Sequence, residues 1–352
     1  MLILGIETSC DDTAVALVRD GRKVLSNIRE SQPDHNAWGG VVPEIAARLH
    51  AENIKPVLEK AIYKAGVTWN DIEAIAVTQG PGLQTSLLSG TTAASFLSLL
   101  YDKPLIPVHH ILGHILSVNL ERTNSEVQYP ALVLTVSGGH TQIQYVSGPT
   151  SPELLGTTLD DACGEAFDKL AKMLQLGYPG GPTVSEYAKT GDISKFDLPY
   201  IYLEKESLDF SFSGLKAACR RIIEKEYPEL LHDPVEVTPA IEAFRRDLCA
   251  SFELRISKIF VKKIGRALDR YPDVKQVHFV GGVSANKRLR SDFEILLQLK
   301  NIELLVPKKI EYCTDNAAMI ASAGYFLVQN EGAIGKKQFI EASPRLPLSH
   351  KG

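Results

Sequence analysis

Two histidines four residues apart, His110 and His114, are the side chains of this sequence best spaced for chemistry, in the run Pro107-Val108-His109-His110-Ile111-Leu112-Gly113-His114. On a helix, positions i and i+4 lie one above the other on one face. Two imidazoles so placed can grip one metal ion and leave positions open for a carboxylate and a substrate. The chain has nine His, so the pair alone is a weak motif, and its weight comes from what accompanies it. Cys313-Thr314-Asp315-Asn316-Ala317-Ala318-Met319 opens a late helix. There Asp315 is either a third metal ligand, completing a two-His, one-carboxylate set, or, like Thr314, an ordinary helix cap. Asp11 and Asp12, in an early hairpin turn, either bind a phosphate-associated cation or merely shape the turn.

Three Gly-rich turns offer the complementary chemistry, a place for an anion. Ser137-Gly138-Gly139-His140-Thr141 lets the backbone approach a ligand with no Cβ between them, and its successive N–H groups can form an anion-binding concavity. The alternative is a plain hairpin turn. Gly281-Gly282-Val283-Ser284-Ala285-Asn286 follows a strand and starts a helix, whose free N–H groups and dipole favour a phosphate. Asn286 either pairs with a ribose or base edge or caps that helix. Cys163-Gly164-Glu165-Ala166-Phe167-Asp168 begins a helix running to about Gln175, and the turn Tyr178-Pro179-Gly180-Gly181-Pro182 follows. Asp161, Glu165 and Asp168 then share one face, and ionised carboxylates so close repel unless a cation or hydroxyl donors offset them. Asp168 is placed to accept hydrogen bonds from ribose or threonine-like hydroxyls; a wet surface stripe is the plainer reading.

The elements that must position these groups repeat. Leu4 to Val18 (LGIETSCDDTAVALV) reads as strand, polar turn, strand, and Leu132 to Val146 (LVLTVSGGHTQIQYV) has the same length and the same reading, aligning Ser9 with Ser137 and Thr13 with Thr141. Each half continues with a strand that meets a Gly-rich turn and opens a helix: Ile75 to Gly82 with a helix from about Thr85, and Val277 to Asn286 with a helix from about Lys287. The repetition predicts an α/β fold of two mixed-sheet lobes facing each other across a ligand-binding cleft. A boundary in the polar stretch near 125–130 gives an N-terminal lobe, 1–128, with a helical insertion at about 37–62. The C-terminal lobe is then 129–352, its last helix, about 314–329, packing near the interface. Glu44 to Ile62 is amphipathic, with Ile45, Leu49, Val57, Leu58 and Ala61 as the apolar stripe, which either docks a partner or packs on its own sheet.

At 352 residues the chain is long enough for two cores. No apolar run approaches the roughly 18 to 20 residues that span a bilayer. The first residues form a strand-like run without the basic lead of a secretory signal, so a cytoplasmic location is expected. The five cysteines (Cys10, Cys163, Cys219, Cys249, Cys313) are scattered and form no C-x-x-C pair, which reads as reduced thiols, not a disulfide frame or zinc ribbon. A net charge of −4 excludes a protein coated in positive charge, yet the distribution is uneven. Residues 1–130 hold 10 Lys+Arg against 14 Asp+Glu, and residues 205–309 hold 20 against 15. That basic stretch could attract phosphates; solvated helix faces are the alternative.

Taken together and in order, these motifs closely resemble one family, the universal tRNA adenosine threonylcarbamoyltransferases, called TsaD in bacteria and formerly labelled O-sialoglycoprotein endopeptidases. The resemblance runs essentially full length, from Gly5-Ile6-Glu7-Thr8-Ser9-Cys10-Asp11-Asp12-Thr13 to Leu346-Pro347-Leu348. It passes through Gly39-Gly40-Val41-Val42-Pro43-Glu44, Gly80-Pro81-Gly82, the histidine pair, Phe210-Ser211-Phe212-Ser213-Gly214-Leu215-Lys216 and the Gly-rich turns above. It implies the two-lobed fold shared by actin, sugar kinases and heat-shock ATPases. By resemblance, His110, His114 and Asp315 bind one divalent metal ion, iron, with zinc as the alternative. Thr135, Val136, Ser137, Gly138, Gly139, Asp168, Gly181 and Asn286 bind the adenylate, and ATP or AMP fills the same site. Where many relatives carry an acidic residue four positions after the second Gly of Gly-Gly-Pro, this chain has Ser185.

The implied reaction moves a threonylcarbamoyl group from threonylcarbamoyl-adenylate to N6 of the tRNA adenosine just 3′ of the anticodon, releasing AMP. An exocyclic amine is a poor nucleophile, so activation, orientation and charge stabilisation must carry the rate. The residues assign no catalytic side chain; Asp11 is the candidate. The implied partners are tRNA, TsaB-like and TsaE-like proteins, and a YrdC-like synthase that supplies the adenylate. The rival enzyme reading is an ATP-dependent small-molecule kinase of the same fold. A metallopeptidase would need H-E-x-x-H, and positions 111–113 are Ile-Leu-Gly.

Overall fold

A computed structural model describes residues 1–32, 35, 40–200, 204, 206–232, 234–332 and 339–348. Gly39 and the start of the expected helical insertion at 37–39 lie outside them. The chain divides into two compact units. Residues 1–131, 146–153 and 305–352 form the first, and 132–145 and 154–304 the second.

The first unit begins with β1 (Leu2–Glu7), β2 (Asp12–Arg19) and β3 (Lys23–Ser31). It continues through α1 (Pro43–Ala65), β4 (Ala74–Gly80), α2 (Gln84–Tyr101), β5 (Leu105–His109) and α3 (His110–Leu116). The strand order is β3-β2-β1-β4-β5. β1 runs antiparallel to β2, with Gly5 opposite Ala16, and parallel to β4. A strand paired in parallel and covered on both faces reads as an unbroken apolar run, and Leu2 to Ile6 is one, wholly buried.

The second unit contains β6 (Ala131–Val136), β7 (Thr141–Val146), β8 (Pro152–Thr157), α4 (Cys163–Met173), α5 (Gly180–Ala188) and α6 (Ser213–Glu226). Then come α7 (Pro239–Arg270), β9 (Gln276–Val280), α8 (Lys287–Gln298) and β10 (Glu303–Leu305). Its strand order, β10-β9-β6-β7-β8, is that of the first sheet element for element. The repeat read between Leu4–Val18 and Leu132–Val146 is therefore β1-β2 matched to β6-β7. The two strand–turn–helix segments are β4-α2 and β9-α8.

α9 (Ala317–Glu331) belongs to the first unit, whereas the sequence reading put everything after 129 into the second lobe. The helix is apolar on nearly all sides, and Ala317, Ala318, Met319, Ile320, Ala321 and Ala323 are buried against Ile3, Ala14, Ala16 and Ala76. Its approach is close: a Cβ at Gly5 would sit 2.3 Å from the Ala317 carbonyl oxygen. α9 thus covers one face of the first sheet, and α1 and α2 cover the other, with Val57, Ala61 and Ala94 on Leu4, Ile6, Val15 and Val77. Part of the stripe read on α1 packs there: Val57 and Ala61 are buried and Leu58 joins the same cluster, while Ile45 and Leu49 are half-buried outside it. α2 leaves an apolar surface open, with Leu88, Phe96, Leu99 and Leu100 exposed. Among the described residues no helix is long and apolar enough to cross a membrane.

Candidate metal centre and nucleotide site

β5 runs into α3 with no loop. His109 ends the strand and caps the helix, its Nδ1 accepting from Ile111 N at 3.1 Å. That leaves His110 and His114 on one buried face, ring centroids 4.8 Å apart and the planes nearly perpendicular. The alternatives at the start of α9 resolve in the same way. Asn316 is the cap, its Oδ1 accepting from Met319 N at 3.0 Å. Asp315, one residue earlier, turns to the histidines, with Oδ1 3.1 Å from His114 Nε2 and 3.6 Å from His110 Nε2. The three ligand atoms all lie within 4.8 Å of one another.

One residue of this centre was missed in the sequence. Glu7, the last residue of β1, is 1% exposed and places Oε2 3.1 Å from His110 Nδ1. Thr78 Oγ1 donates to the same oxygen at 2.6 Å and Ser9 N to the other at 2.5 Å. A carboxylate on Nδ1 fixes ring orientation and tautomer and leaves Nε2 for a metal. The readable signal was an acid ending a buried apolar strand. Burial opposes charge on Glu7, but the adjacent His110 outweighs it and holds the carboxyl below its usual range. Burial likewise opposes a proton on His110, yet Asp315 and Glu7 raise it to about 9. Such surroundings favour a cation. His114 adds a test of fit: it is fully buried and neither ring nitrogen makes a hydrogen bond. Buried polar atoms are seldom left so, and a metal ion shared with His110 and Asp315 would satisfy Nε2.

Asp11 and Asp12 follow in the β1–β2 turn. Asp12 lies 3.5 Å from Arg29, and burial pushes its carboxyl up to about 6 against the pull of Ser31 and Arg29. Asp11 stands beside the Cys10 thiol, which burial and that carboxylate push far above the usual range. Cys163 is raised by burial alone. Neither cysteine is set up as a nucleophile.

In the second unit the expected adenylate residues draw together around α4, α5 and α8. Thr135 and Val136 end β6, and Ser137 N donates across the turn to His140 O at 2.8 Å. A Cβ on Gly138 or Gly139 would meet open space, so the outer side of this turn has room for a ligand. Its inner side has none: a Cβ at Gly164 would fall 2.5 Å from the Ser137 carbonyl oxygen. Gly281, at φ +87°, would bring one 2.4 Å from that of Val136. Only glycine suits that conformation and that approach.

Asp168 and Asn286 both prove to be caps. The Asp168 carboxylate accepts from Gly180 N at 2.7 Å and from Gly181 N, tying the start of α5 to α4. Asn286 Oδ1 accepts from Leu289 N at 2.9 Å and begins α8. The carboxylate stripe read at Asp161, Glu165 and Asp168 needs no metal. Lys169 bridges Asp161 (2.8 Å) and Glu165 (2.7 Å), and Lys216 reaches Asp161 at 2.6 Å. Lys216 belongs to the Phe210–Lys216 motif, whose Ser211, Phe212 N and Ser213 donate to Asp160.

The repeated sheet order and the likeness to solved structures define an α/β fold built on two five-stranded mixed sheets of the same strand order. HypF of T. kodakarensis superposes with a TM-score of 0.58 at 14% identity, over 96% of this chain and 49% of that one. Component A of (R)-2-hydroxyglutaryl-CoA dehydratase from Acidaminococcus fermentans gives 0.53 at 14% identity, over 94% and 99%. Sequence is more specific. The family model for TsaD, tRNA N6-adenosine threonylcarbamoyltransferase, matches residues 23–322. The protein of that name from Bacillus cereus (strain ATCC 10987) is 48% identical over 325 residues, 92% of this chain and 90% of its own. The chain belongs to the tRNA N6-adenosine threonylcarbamoyltransferase family, transferases that modify tRNA.

Proposed function

We propose that this chain moves the threonylcarbamoyl group of threonylcarbamoyl-adenylate to N6 of adenosine 37 in tRNAs that read codons beginning with A. The observation that carries this reading is the convergence of His110, His114 and Asp315 in a chain matched along its length by the family. The N6 amine attacks the carbamoyl carbonyl carbon, a C–N bond forms, the C–O bond to the phosphate breaks, and AMP leaves with that electron pair as the amine gives up a proton. His110, His114 and Asp315 would hold one divalent ion, iron with zinc as the alternative, whose Lewis acidity when bound offsets charge on a phosphate or carboxylate oxygen of the adenylate. Glu7 orients His110 for that task. Thr135 to Gly139, Asp168, Gly181 and Asn286 form the adenylate site, with room outside Gly138 and Gly139 and the α8 start supplying N–H groups. The catalytic side chain is left unassigned, with Asp11 as the candidate carboxylate.

The partners in this reading are tRNA, TsaB-like and TsaE-like proteins and a YrdC-like synthase, in the cytoplasm. α2 supports a protein partner: it carries no charged residue and exposes Leu88, Phe96, Leu99 and Leu100. α7 supports an RNA face, since from Leu254 to Leu268 Arg255, Lys258, Lys262 and Arg266 stand at exposed or half-buried positions with no acidic residue among them. The test is transfer of labelled threonine from the adenylate into unmodified tRNA, with the partners present, comparing adenosine with guanosine at position 37. Label in the adenosine tRNA alone supports the reading. Label in neither, with ATP spent on a small-molecule acceptor, overturns it in favour of a kinase.

A further inference from the structure

Asn286 has one amide oxygen and two N–H donors, and the protein uses all three. Its oxygen caps α8, and Nδ2 donates to Ser185 Oγ at 2.8 Å and to Glu253 Oε1 at 2.6 Å. No donor is left over for a ligand. The unspent hydrogen-bonding capacity lies one step further on, in Glu253 of α7.

Glu253 is only 7% exposed, a carboxylate almost wholly enclosed. The donors that reach it are neutral, the Asn286 amide and the Ser185 hydroxyl. Among the described residues no lysine or arginine forms an ion pair with it; Arg288, whose charge it feels, is turned to Asp292 at 2.7 Å. A carboxylate has about four lone-pair positions, so two neutral donors leave it rich in acceptors and short of partners. Burial is the largest influence on it and raises its pKa above the ordinary glutamate value. Its surroundings belong to the adenylate locus. Ser185 lies four residues after Gly181 on α5, hence on the same helix face, and Asn286 closes the Gly281 turn.

We propose that Glu253, with Ser185 beside it, accepts hydrogen bonds from the sugar hydroxyls of the bound nucleotide, and that Asn286 is the strut that holds this acceptor in place. The ligand class follows from the chemistry: a vicinal diol brings two neutral donors side by side, which is what a buried, acceptor-rich carboxylate lacks. This rests on the second unit being the adenylate site, and the experiment separates the two claims.

AMP, 2′-deoxy-AMP and 3′-deoxy-AMP are titrated into wild type and E253Q by calorimetry. Wild type is expected to bind AMP about 10- to 100-fold more tightly than at least one deoxy analogue, and E253Q to bind all three alike. E253Q that keeps the wild-type discrimination, or wild type that binds all three equally, overturns the role of Glu253 while the nucleotide site stands. Wild type that binds none of them overturns the nucleotide site, and this assignment with it. Should E253Q not fold, E253D serves: the carboxylate withdrawn by one methylene is expected to reduce the discrimination, and unchanged discrimination contradicts the proposal.

Discussion

In the first unit the turn between β1 and β2 is entered from Glu7 and left through Asp11 and Asp12. In the second, the turn between β6 and β7 is Ser137-Gly138-Gly139-His140, with no acidic residue. The strand order around the two turns is the same, so the backbone plan does not decide what each attracts. Side chains do. The first turn, with His110, His114 and Asp315, gathers carboxylates and imidazoles suited to a cation. The second, with the start of α8, presents backbone N–H groups and hydroxyls suited to a phosphate ester. One supersecondary unit, used twice, carries groups suited to opposite charges.

The sharpest way to break this comparison is to remove a group on one side and read both. H114A is expected to lose its metal ion and to slow transfer by more than about 100-fold, since even outer-shell partners of a metal are worth 10- to 100-fold. Metal analysis and the transfer assay on one preparation check it, and AMP binding should persist. E7Q removes only the carboxylate that orients His110, so metal affinity should fall by about 10- to 100-fold with the three ligands intact; competition with a chelating dye measures this. On the other side, N286A removes the α8 cap. It should cost about 1 kcal/mol of stability in denaturant unfolding and loosen AMP, while metal content stays unchanged. Loss of metal in N286A would mean that the two chemistries are not separate.

The smallest effect is one of pH. Burial, with Arg266 and Lys262 adding to it, holds Lys263 on α7 down to about 8. The unfolded value is about 10.4. Between those two values the unfolded chain keeps a proton that the folded chain has lost, so stability rises with pH across the window. K263M should remove that rise, seen by comparing thermal unfolding of both proteins at about pH 7.5 and 9.5.

Much of this was written locally. A histidine pair at i, i+4 announces its own geometry, and the strand–turn–strand repeat fixed which turns would correspond. Helix starts at Lys287 and near Thr85 followed from glycine punctuation. What was hidden depends on which of several adjacent polar residues takes the backbone. Thr314, Asp315 and Asn316 can each cap a helix; that Asn316 does so, freeing Asp315, is settled by tertiary contacts. Asp168 and Asn286 likewise spend hydrogen bonds on caps in a way no spacing shows. The place of α9 was unreadable for another reason. A helix apolar on nearly every side needs a sheet face to cover, but periodicity does not say which sheet, and chain order suggested the wrong one. Glu7 escaped notice because its partner, His110, lies 103 residues away.

The most direct test is to strip metal from the wild-type protein with a chelator, measure threonylcarbamoyl transfer to tRNA, and add back one equivalent of iron(II) or zinc. The account predicts that transfer is lost on stripping and returns with the ion in wild type, but does not return in H110A. Stripped wild type that transfers at its original rate would contradict it.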